Sequence, residues 1–461
     1  MIRARHQYTS PGGMNRRDFV RLGAAAGMGA SIAAMDRSAF AAVPEALGPA
    51  PEMPFAAPPI DNVRIGYVGV GGMGTSHLRN LLAIEGCQIV AVCDIVEEKV
   101  ANAQKMVEDK GFPKPTGYSR GERDFERLCA EEDLDLVYTA TPWEWHVPVC
   151  MSAMENGKHA ATEVPAAYTI EDCWKLVEGA EKYQKHCVMM ENCCYGRAEM
   201  QILNMVRQGH FGELVHGEGG YLHDLRALKF ADSGEGLWRR QHTIDRNGNL
   251  YPTHGLGPIA QCMNINRGDQ FDYMVSMSSQ ALGMKLFAEE NFPEGDPRRA
   301  ETFRNGDYNT SLIKTALGRT IMVQHNCDSP RPYSRINMLQ GTRAITVGYP
   351  DRIYIEGRSP AHTWEELEQY REEFDHPLWR QLGPDAGGAG HGGMDFMEDY
   401  RLIKCLREGL PLDMDVYDAA AWSAVGPLSE MSVANRAETL DFPDFTRGRW
   451  RTWQPLGIVE A

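Results

Sequence analysis

Membrane-length apolar runs, excess positive charge and paired metal-binding cysteines are all missing from this 461-residue chain. No apolar run is long enough to span a bilayer as a helix, so no stable membrane span is expected. Lysine and arginine number 47 against 63 acidic residues, a net charge of −16. That balance argues against nucleic acid or an anionic membrane as a partner. The 11 cysteines contain no C-x-x-C pair, so no metal site is expected. Most of them sit inside apolar runs, as Cys87, Cys93, Cys150 and Cys187 do, and the adjacent Cys193 and Cys194 read as buried packing. Free thiols suit a protein that folds in a reducing compartment. No internal repeat is evident.

Asn15-Arg16-Arg17-Asp18-Phe19-Val20 has the form of a twin-arginine motif, followed by a weakly apolar Gly/Ala-rich stretch over 22–35. Ala39-Phe40-Ala41 offers a small-x-small cleavage site. The expectation is a twin-arginine signal peptide over 1–41, a Pro/Ala-rich linker over 42–61, and export to the periplasm or another extracytoplasmic space.

From residue 64 to about 207, β-rich runs alternate with helical stretches. Strands are predicted at 64–70, 88–94, 134–140, 159–163 and 187–191, with helices at 76–84, 97–110, 147–156, 170–183 and 198–208. Continuous apolar strands alternating with helices predict an α/β fold with a doubly wound parallel sheet. After Gly212 the strand-like runs 214–221, 272–279, 310–315, 320–326, 334–340 and 344–347 follow without helices between them. They predict an α+β domain built on a large open, mainly antiparallel sheet. The stretch 383–393 reads as a glycine-rich loop and 396–408 as a helix. The domains are therefore expected at 62–192 and 193–461, the C-terminal segment returning to pack on the first. An exposed open sheet favours a homo-oligomer.

Gly69-Val70-Gly71-Gly72-Met73-Gly74 follows the apolar run from Ile65 to Val68 and opens a predicted helix. A strand running into G-x-G-x-x-G lets a dinucleotide pyrophosphate rest on the helix N-terminus. Asp94 closes the next strand twenty residues beyond Gly74. An acid there bonds the ribose hydroxyls and favours NAD over NADP. Thr141-Pro142-Trp143-Glu144-Trp145-His146 follows the third strand at its carboxyl end, where open α/β sheets bind ligands.

These residues and several longer motifs carry a family resemblance. They include Glu163-Val164-Pro165, Glu191-Asn192-Cys193-Cys194-Tyr195-Gly196-Arg197 and the stretch from Gly212 to Glu218. Asn247 to Pro258, with Tyr251-Pro252-Thr253-His254 inside it, and Gly390 to Asp395 match as well. Over nearly the whole mature chain the sequence resembles glycoside hydrolase family 109, within the Gfo/Idh/MocA oxidoreductase superfamily. Dehydrogenases of that superfamily carry a lysine in the middle of the Glu-x-Pro triplet, whereas this chain has Val164. A valine cannot move a proton, which weighs against net alcohol oxidation.

The resemblance implies an NAD-dependent α-N-acetylgalactosaminidase-like glycosidase. Its cofactor is tightly bound and recycled within each turnover. In the implied cycle, C3 of the sugar is transiently oxidised, the C2 proton is removed and the aglycone is eliminated across C1–C2. Water addition and re-reduction then complete the reaction. Such glycosidases depart from the two-carboxylate scheme. The implied cofactor contacts are Gly72, Met73, Asp94, Trp143, Glu144, Trp145, His146, Glu163, Val164, Asn192 and Tyr251, alongside Gly69, Gly71 and Gly74 of the glycine motif. Tyr221, Arg239 or Arg240, Tyr251, Pro252, Thr253, His254 and Tyr333 are the implied substrate contacts for a glycan or small glycoside. Tyr195 is implied for the C2 proton, near Glu163, while His254 binds a hydroxyl or passes a proton. His391, between glycines, either activates water or belongs to a simple turn. Trp238 either stacks on a sugar face or packs in the core. Two other readings stay open: an exported sugar oxidoreductase of the glucose-fructose type, and a non-catalytic sugar- or NAD-binding protein.

Overall fold

A first, wholly parallel sheet forms from strands whose residues are apolar on both faces, as expected where helices cover both sides. The structure is a computed structural model describing residues 55–386 and 389–456. The expected leader, and the linker as far as residue 54, lie outside the described residues. The sheet comprises β1 (Val63–Val68), β2 (Cys87–Cys93), β3 (Thr116–Tyr118), β4 (Leu136–Thr139), β5 (His159–Thr162) and β6 (Cys187–Met189). Interleaved with them are α1 (Gly72–Leu81), α2 (Glu97–Asp109), α3 (Asp124–Glu131), α4 (Trp143–Glu155) and α5 (Ile170–Tyr183). The strand order β3-β2-β1-β4-β5-β6 reverses between β1 and β4, which opens a crevice at their carboxyl ends. The predicted strands and helices all recur here. The short β3 and α3 were absent from the sequence reading because three residues carry no period and α3 spans only eight.

After α6 (Arg197–Arg207) comes β7 (Leu214–Leu222), then α7 (Gly236–Asp245) and α8 (Thr253–Cys262). The chain continues through β8 (Phe271–Ser278), α9 (Gly283–Asn291), β9 (Asn309–Thr315), β10 (Thr320–Asn326), β11 (Met338–Gly341), β12 (Ala344–Val347), β13 (Arg352–Ile355) and β14 (Glu365–Glu366). It ends with α10 (Pro377–Ala386), α11 (Met394–Glu408), α12 (Val416–Ala434) and β15 (Leu440–Asp441). The second sheet, ordered β14-β13-β12-β11-β7-β10-β9-β8-β15, is antiparallel except for the parallel pair β7 and β10.

The expectation that no helices separate these strands is corrected: α7, α8 and α9 do so. In α8 the helical signal is masked by Gly255, Gly257 and Pro258. The reason is contact: a Cβ on Gly255 would overlap the backbone of Gly219 and Gly220 in β7. α8 therefore crosses β7 at backbone distance, which brings the Tyr251–His254 segment up to Tyr221. The predicted glycine loop is also corrected, since its first part is the C-terminal end of α10.

Two late helices join the halves. α11 lies against α1, and α12 packs on α5 and β8. α12 is buried nearly all round, so it has no amphipathic stripe to read. Its Ser423, Ser429 and Ser432 hydroxyls accept the backbone N–H groups of Ala166, Asn249 and Ser276 at 3.1, 2.7 and 2.9 Å. One helix thus braces the loop after β5, the approach to Tyr251, and β8. No helix among the described residues is long and apolar enough to cross a membrane. All eleven cysteines are buried and free.

Candidate active site

At the carboxyl end of β1 the chain turns through Gly69, whose φ is +86°. A Cβ at Gly74 would overlap the Gly69 carbonyl, so the turn closes only without side chains. Space is open in front of Gly72, where a Cβ would meet nothing within 4 Å. The first turn of α1 therefore presents free N–H groups to a cradle that fits a pyrophosphate. Asp94 fastens this loop: one carboxylate oxygen accepts from Val70 N at 3.0 Å and the other from Val96 N at 2.9 Å. Met73, on the first turn of α1, follows the same cradle.

Around the crevice, the predicted residues divide. Trp143 is buried against Trp238, His242 and Tyr251, with ring centroids 5.0, 4.7 and 5.8 Å apart. Trp238 is thus part of a ring cluster at the crevice. Glu144 is exposed and Trp145 packs on Phe125, away from the cluster. His146 is buried with both ring nitrogens on backbone oxygens, those of Pro165 and Thr141, each at 2.8 Å. It braces the loop from within. Val164 is buried and its N–H reaches Glu163 Oε2 at 3.2 Å.

On the other wall, Tyr221, Tyr251, His254 and Tyr333 meet. Tyr221 lies 4.5 Å from Tyr251, 5.4 Å from His254 and 6.3 Å from Tyr333 between ring centroids. The Arg239 guanidinium sits over Tyr251, Trp238 and Trp143 at 5.0, 5.2 and 5.6 Å. Arg240 faces elsewhere, over Phe230 and toward Glu301, so of the two arginines only Arg239 joins this cluster. Pro252 and Thr253 lie at the start of α8, with Thr253 buried. Arg335 donates to the Tyr333 hydroxyl at 3.1 Å and pairs with Glu199 at 2.5 Å, fixing that ring.

His254 Nδ1 lies 2.7 Å from Oε1 of the buried Glu191, which leaves Nε2 for the cleft. Burial pushes Glu191 up, but His254, the Thr253 hydroxyl and the Cys193 N–H pull it down and prevail. It is the anion that orients the ring. Donor atoms of Glu191, Cys193 and His254 fall within 4.8 Å of one another. Hydrogen bonding already occupies Oε1 of the carboxylate, and burial raises the Cys193 thiol well above its ordinary value, so it stays protonated. Burial also raises the Tyr251 phenol; Arg239 opposes this, while Tyr221, Glu163 and Glu191 add to it.

His391 has φ +51° in a turn that continues through Gly392 and Gly393 at +74° and +102°. Its Nδ1 lies 2.8 Å from Oδ2 of the buried Asp395, whose other oxygen accepts from Asn192 at 2.7 Å. The bond to Asp395 raises the imidazole above its usual value, against the pull of burial. A Cβ on Gly390 would lie 3.0 Å from Ser76 Oγ, so this turn passes over α1 beside the cradle.

Tyr195 is not brought to Glu163. Its hydroxyl points the other way, donating to Asp413 at 3.1 Å, and Arg401 holds that same carboxylate at 2.7 Å. The turn Asn192–Tyr195 places successive side chains on different sides, and burial beside Asp413 raises the phenol well above its ordinary value. The sequence reading did not single out His77, Asp399, Glu398 or His223. His223 reaches the Tyr221 hydroxyl at 3.2 Å and stacks edge-on to Tyr333 at 5.0 Å. A histidine three residues past the last glycine of the motif was the available signal for His77.

Residues 63–191 match the oxidoreductase family with an NAD-binding Rossmann fold, and residues 195–452 match the C-terminal domain of glycosyl hydrolase 109. The chain belongs to glycosyl hydrolase family 109. A family 109 protein of Shewanella pealeana is 48% identical over 453 residues, covering 97% of this chain and 99% of the relative. Another, from Shewanella amazonensis, is 50% identical over 454 residues, covering 97% and 100%. Among solved structures, a levoglucosan dehydrogenase in complex with NADH and levoglucosan shares the fold at a TM-score of 0.66 and 19% identity. That likeness covers 83% of this chain and 100% of the other. An inositol dehydrogenase homolog from Azotobacter vinelandii, with NADH and myo-inositol, does so at 0.60 and 18%, covering 83% and 98%. Family membership and the nucleotide fold make the chain an NAD-binding enzyme of the glycosyl hydrolase class.

Proposed function

We propose that this family 109 enzyme hydrolyses terminal α-N-acetylgalactosaminides by transient oxidation at C3 on a tightly held, recycled NAD. The carrying observation is the His254–Glu191 pair, whose free Nε2 faces the same ring cluster that Glu163 approaches from the nucleotide side. Bound NAD⁺ supplies a hydride acceptor that gives the hydride back within the same turnover. Gly69 to Gly74 and Asp94 would hold its pyrophosphate and ribose ends. His254 Nε2 takes the C3 hydroxyl proton as hydride leaves that carbon. The resulting ketone acidifies C2–H, and the Glu163 carboxylate removes that proton. The C1–O bond then breaks with its electron pair leaving on the aglycone oxygen, which His391 protonates. Water adds at C1, with its proton passing to His391, and Glu163 reprotonates C2 after its carboxyl proton has exchanged with solvent. Hydride return to C3 and proton return from His254 close the cycle. Arg239, Tyr221, Tyr251 and Tyr333 hold the sugar.

The test uses protein with no added NAD, an aryl α-N-acetylgalactosaminide, and D₂O. Aglycone release with deuterium at C2 is the expected result. Release with protium only at C2 sinks the elimination route. No release, with bound NAD⁺ reduced by free sugars, replaces the glycosidase with a sugar oxidoreductase.

Two further readings belong to this proposal. The enzyme is exported by the twin-arginine route; Arg16→Lys with Arg17→Lys should then retain it in the cytoplasm on fractionation. Exposed Tyr273, Met277 and Leu312 on β8 and β9 support self-association through the second sheet, which light scattering at two protein concentrations tests.

A further inference from the structure

His77, on α1 three residues past Gly74, is an enclosed ionisable group beside the site, its side chain 1% exposed. Neither ring nitrogen is free. Nε2 lies 2.8 Å from Glu163 Oε1 at the end of β5, and Nδ1 lies 2.8 and 3.0 Å from the two oxygens of Asp399 on α11. Every element packed around the ring contributes a polar group. The Tyr138 hydroxyl from β4 is 3.1 Å from Nδ1, and Asn80 from α1 donates to Asp399 at 3.0 Å. Tyr67 from β1 places its phenol among the same acids. From α11 come Asp395 and Glu398 as well, and from the turn before it His391.

A neutral imidazole has one N–H and one lone pair. Between two ionised carboxylates that ring leaves one nitrogen lone pair facing an anion. The doubly protonated ring donates to both. Burial alone would lower His77, but Asp399 and Glu163 outweigh it and hold the ring well above its usual value. Asp399 is itself raised by burial, with His77 and Asn80 holding it back. Glu398 has no partner for either buried oxygen, and burial raises it well above the ordinary carboxylate range. Among the described residues, His77 is the only cationic group in ion-pair range of Glu163. Val164, the next residue, has no charge to offer.

We propose that His77 is a positioning residue for Glu163, acting from beneath the site through its contact with Oε1. It holds one carboxylate oxygen and compensates its charge against the acids of α11. The second oxygen, which accepts the Val164 N–H at 3.2 Å, is the one left to take the C2 proton. The proposal rests on the glycosidase reading only for that proton's identity.

Two measurements test it. The holoenzyme labelled with [¹⁵N]histidine is titrated by NMR, with His77→Gln as the assignment control. Both His77 nitrogens should keep imidazolium shifts above about pH 8, where an ordinary histidine is neutral. Asp399→Asn and Glu163→Gln should each lower the midpoint. A His77 that is neutral at about pH 7 overturns the proposal. The second measurement is the pH dependence of kcat. His77→Gln keeps an N–H for Glu163 Oε1 without the charge, so the acid limb should move up by about 1–3 pH units. An unchanged acid limb in a folded His77→Gln protein also overturns it. If wild-type enzyme releases no aglycone, the glycosidase reading fails, while the NMR titration still decides the state of His77.

Discussion

Two histidines meet three acids beside the cleft, and the number of carboxylates each one meets separates their tasks. His254 has one partner, Glu191, on Nδ1, and its other nitrogen opens to the ring cluster. His77 has Glu163 on one nitrogen and Asp399 on the other, with no free lone pair. A proton carrier needs an open nitrogen, and His254 has it. A fixed cation needs both nitrogens satisfied by anions, and His77 has that. The same side chain thus becomes a reacting group or a structural charge according to its neighbours.

The strongest way to break this contrast is to remove the open nitrogen. His254→Ala should lower kcat by about 10²–10⁴-fold, the range for a general acid–base group, with CD and NAD content unchanged. A loss below tenfold would move His254 to a binding role. Next comes the closed histidine's partner. Asp399→Asn should destabilise the fold by about 3–5 kcal/mol, since half a buried pair is left behind. The sign with pH follows from a raised folded-state value. The contribution of His77 is full below the unfolded imidazole value of about 6.5 and is lost as pH rises through its higher folded value. Denaturant midpoints should therefore fall with alkalinity in wild type and vary less in Asp399→Asn. Glu191→Gln should cost about 10–100-fold in kcat, because the amide orients the ring without stabilising its cationic form. Equal kcat values would remove Glu191 from the pair.

Smaller effects sharpen the edges of the site. Arg239→Ala should raise KM for the glycoside by about tenfold or more, as loss of a buried charged contact does, while Arg240→Ala leaves KM alone. Tyr195→Phe should lose only the bond to Asp413, about 1 kcal/mol of stability, with kcat within a few-fold of wild type. A collapse of kcat in that variant would return Tyr195 to the chemistry.

Most of the fold was legible before the structure. Apolar runs alternating with helical stretches predicted the parallel sheet, and α5 was placed over the same residues, 170–183. Where the reading failed, contact had overridden local pattern. α8 carries glycines because its backbone lies against β7, and α12 carries no stripe because apolar neighbours surround it. The site divides in the same way. The glycine turn, Asp94, Tyr251 and His254 stood out in their motifs, Tyr333 came only from the family resemblance, and the structure gathers them at one crevice. Within the same motifs, adjacency misled: Tyr195 and Arg240 lie one or a few residues from site groups yet face away.

Sequence determines a turn that closes only on glycine, a strand's period and the absence of charge at Val164, because each depends on neighbours along the chain. The partners of an ionisable group are set by folding. His77 meets Asp399 across 322 residues and Glu163 across 86, and Glu191 meets His254 across 63. Burial and the count of anions around each ring decide which histidine holds its proton and which can pass it on.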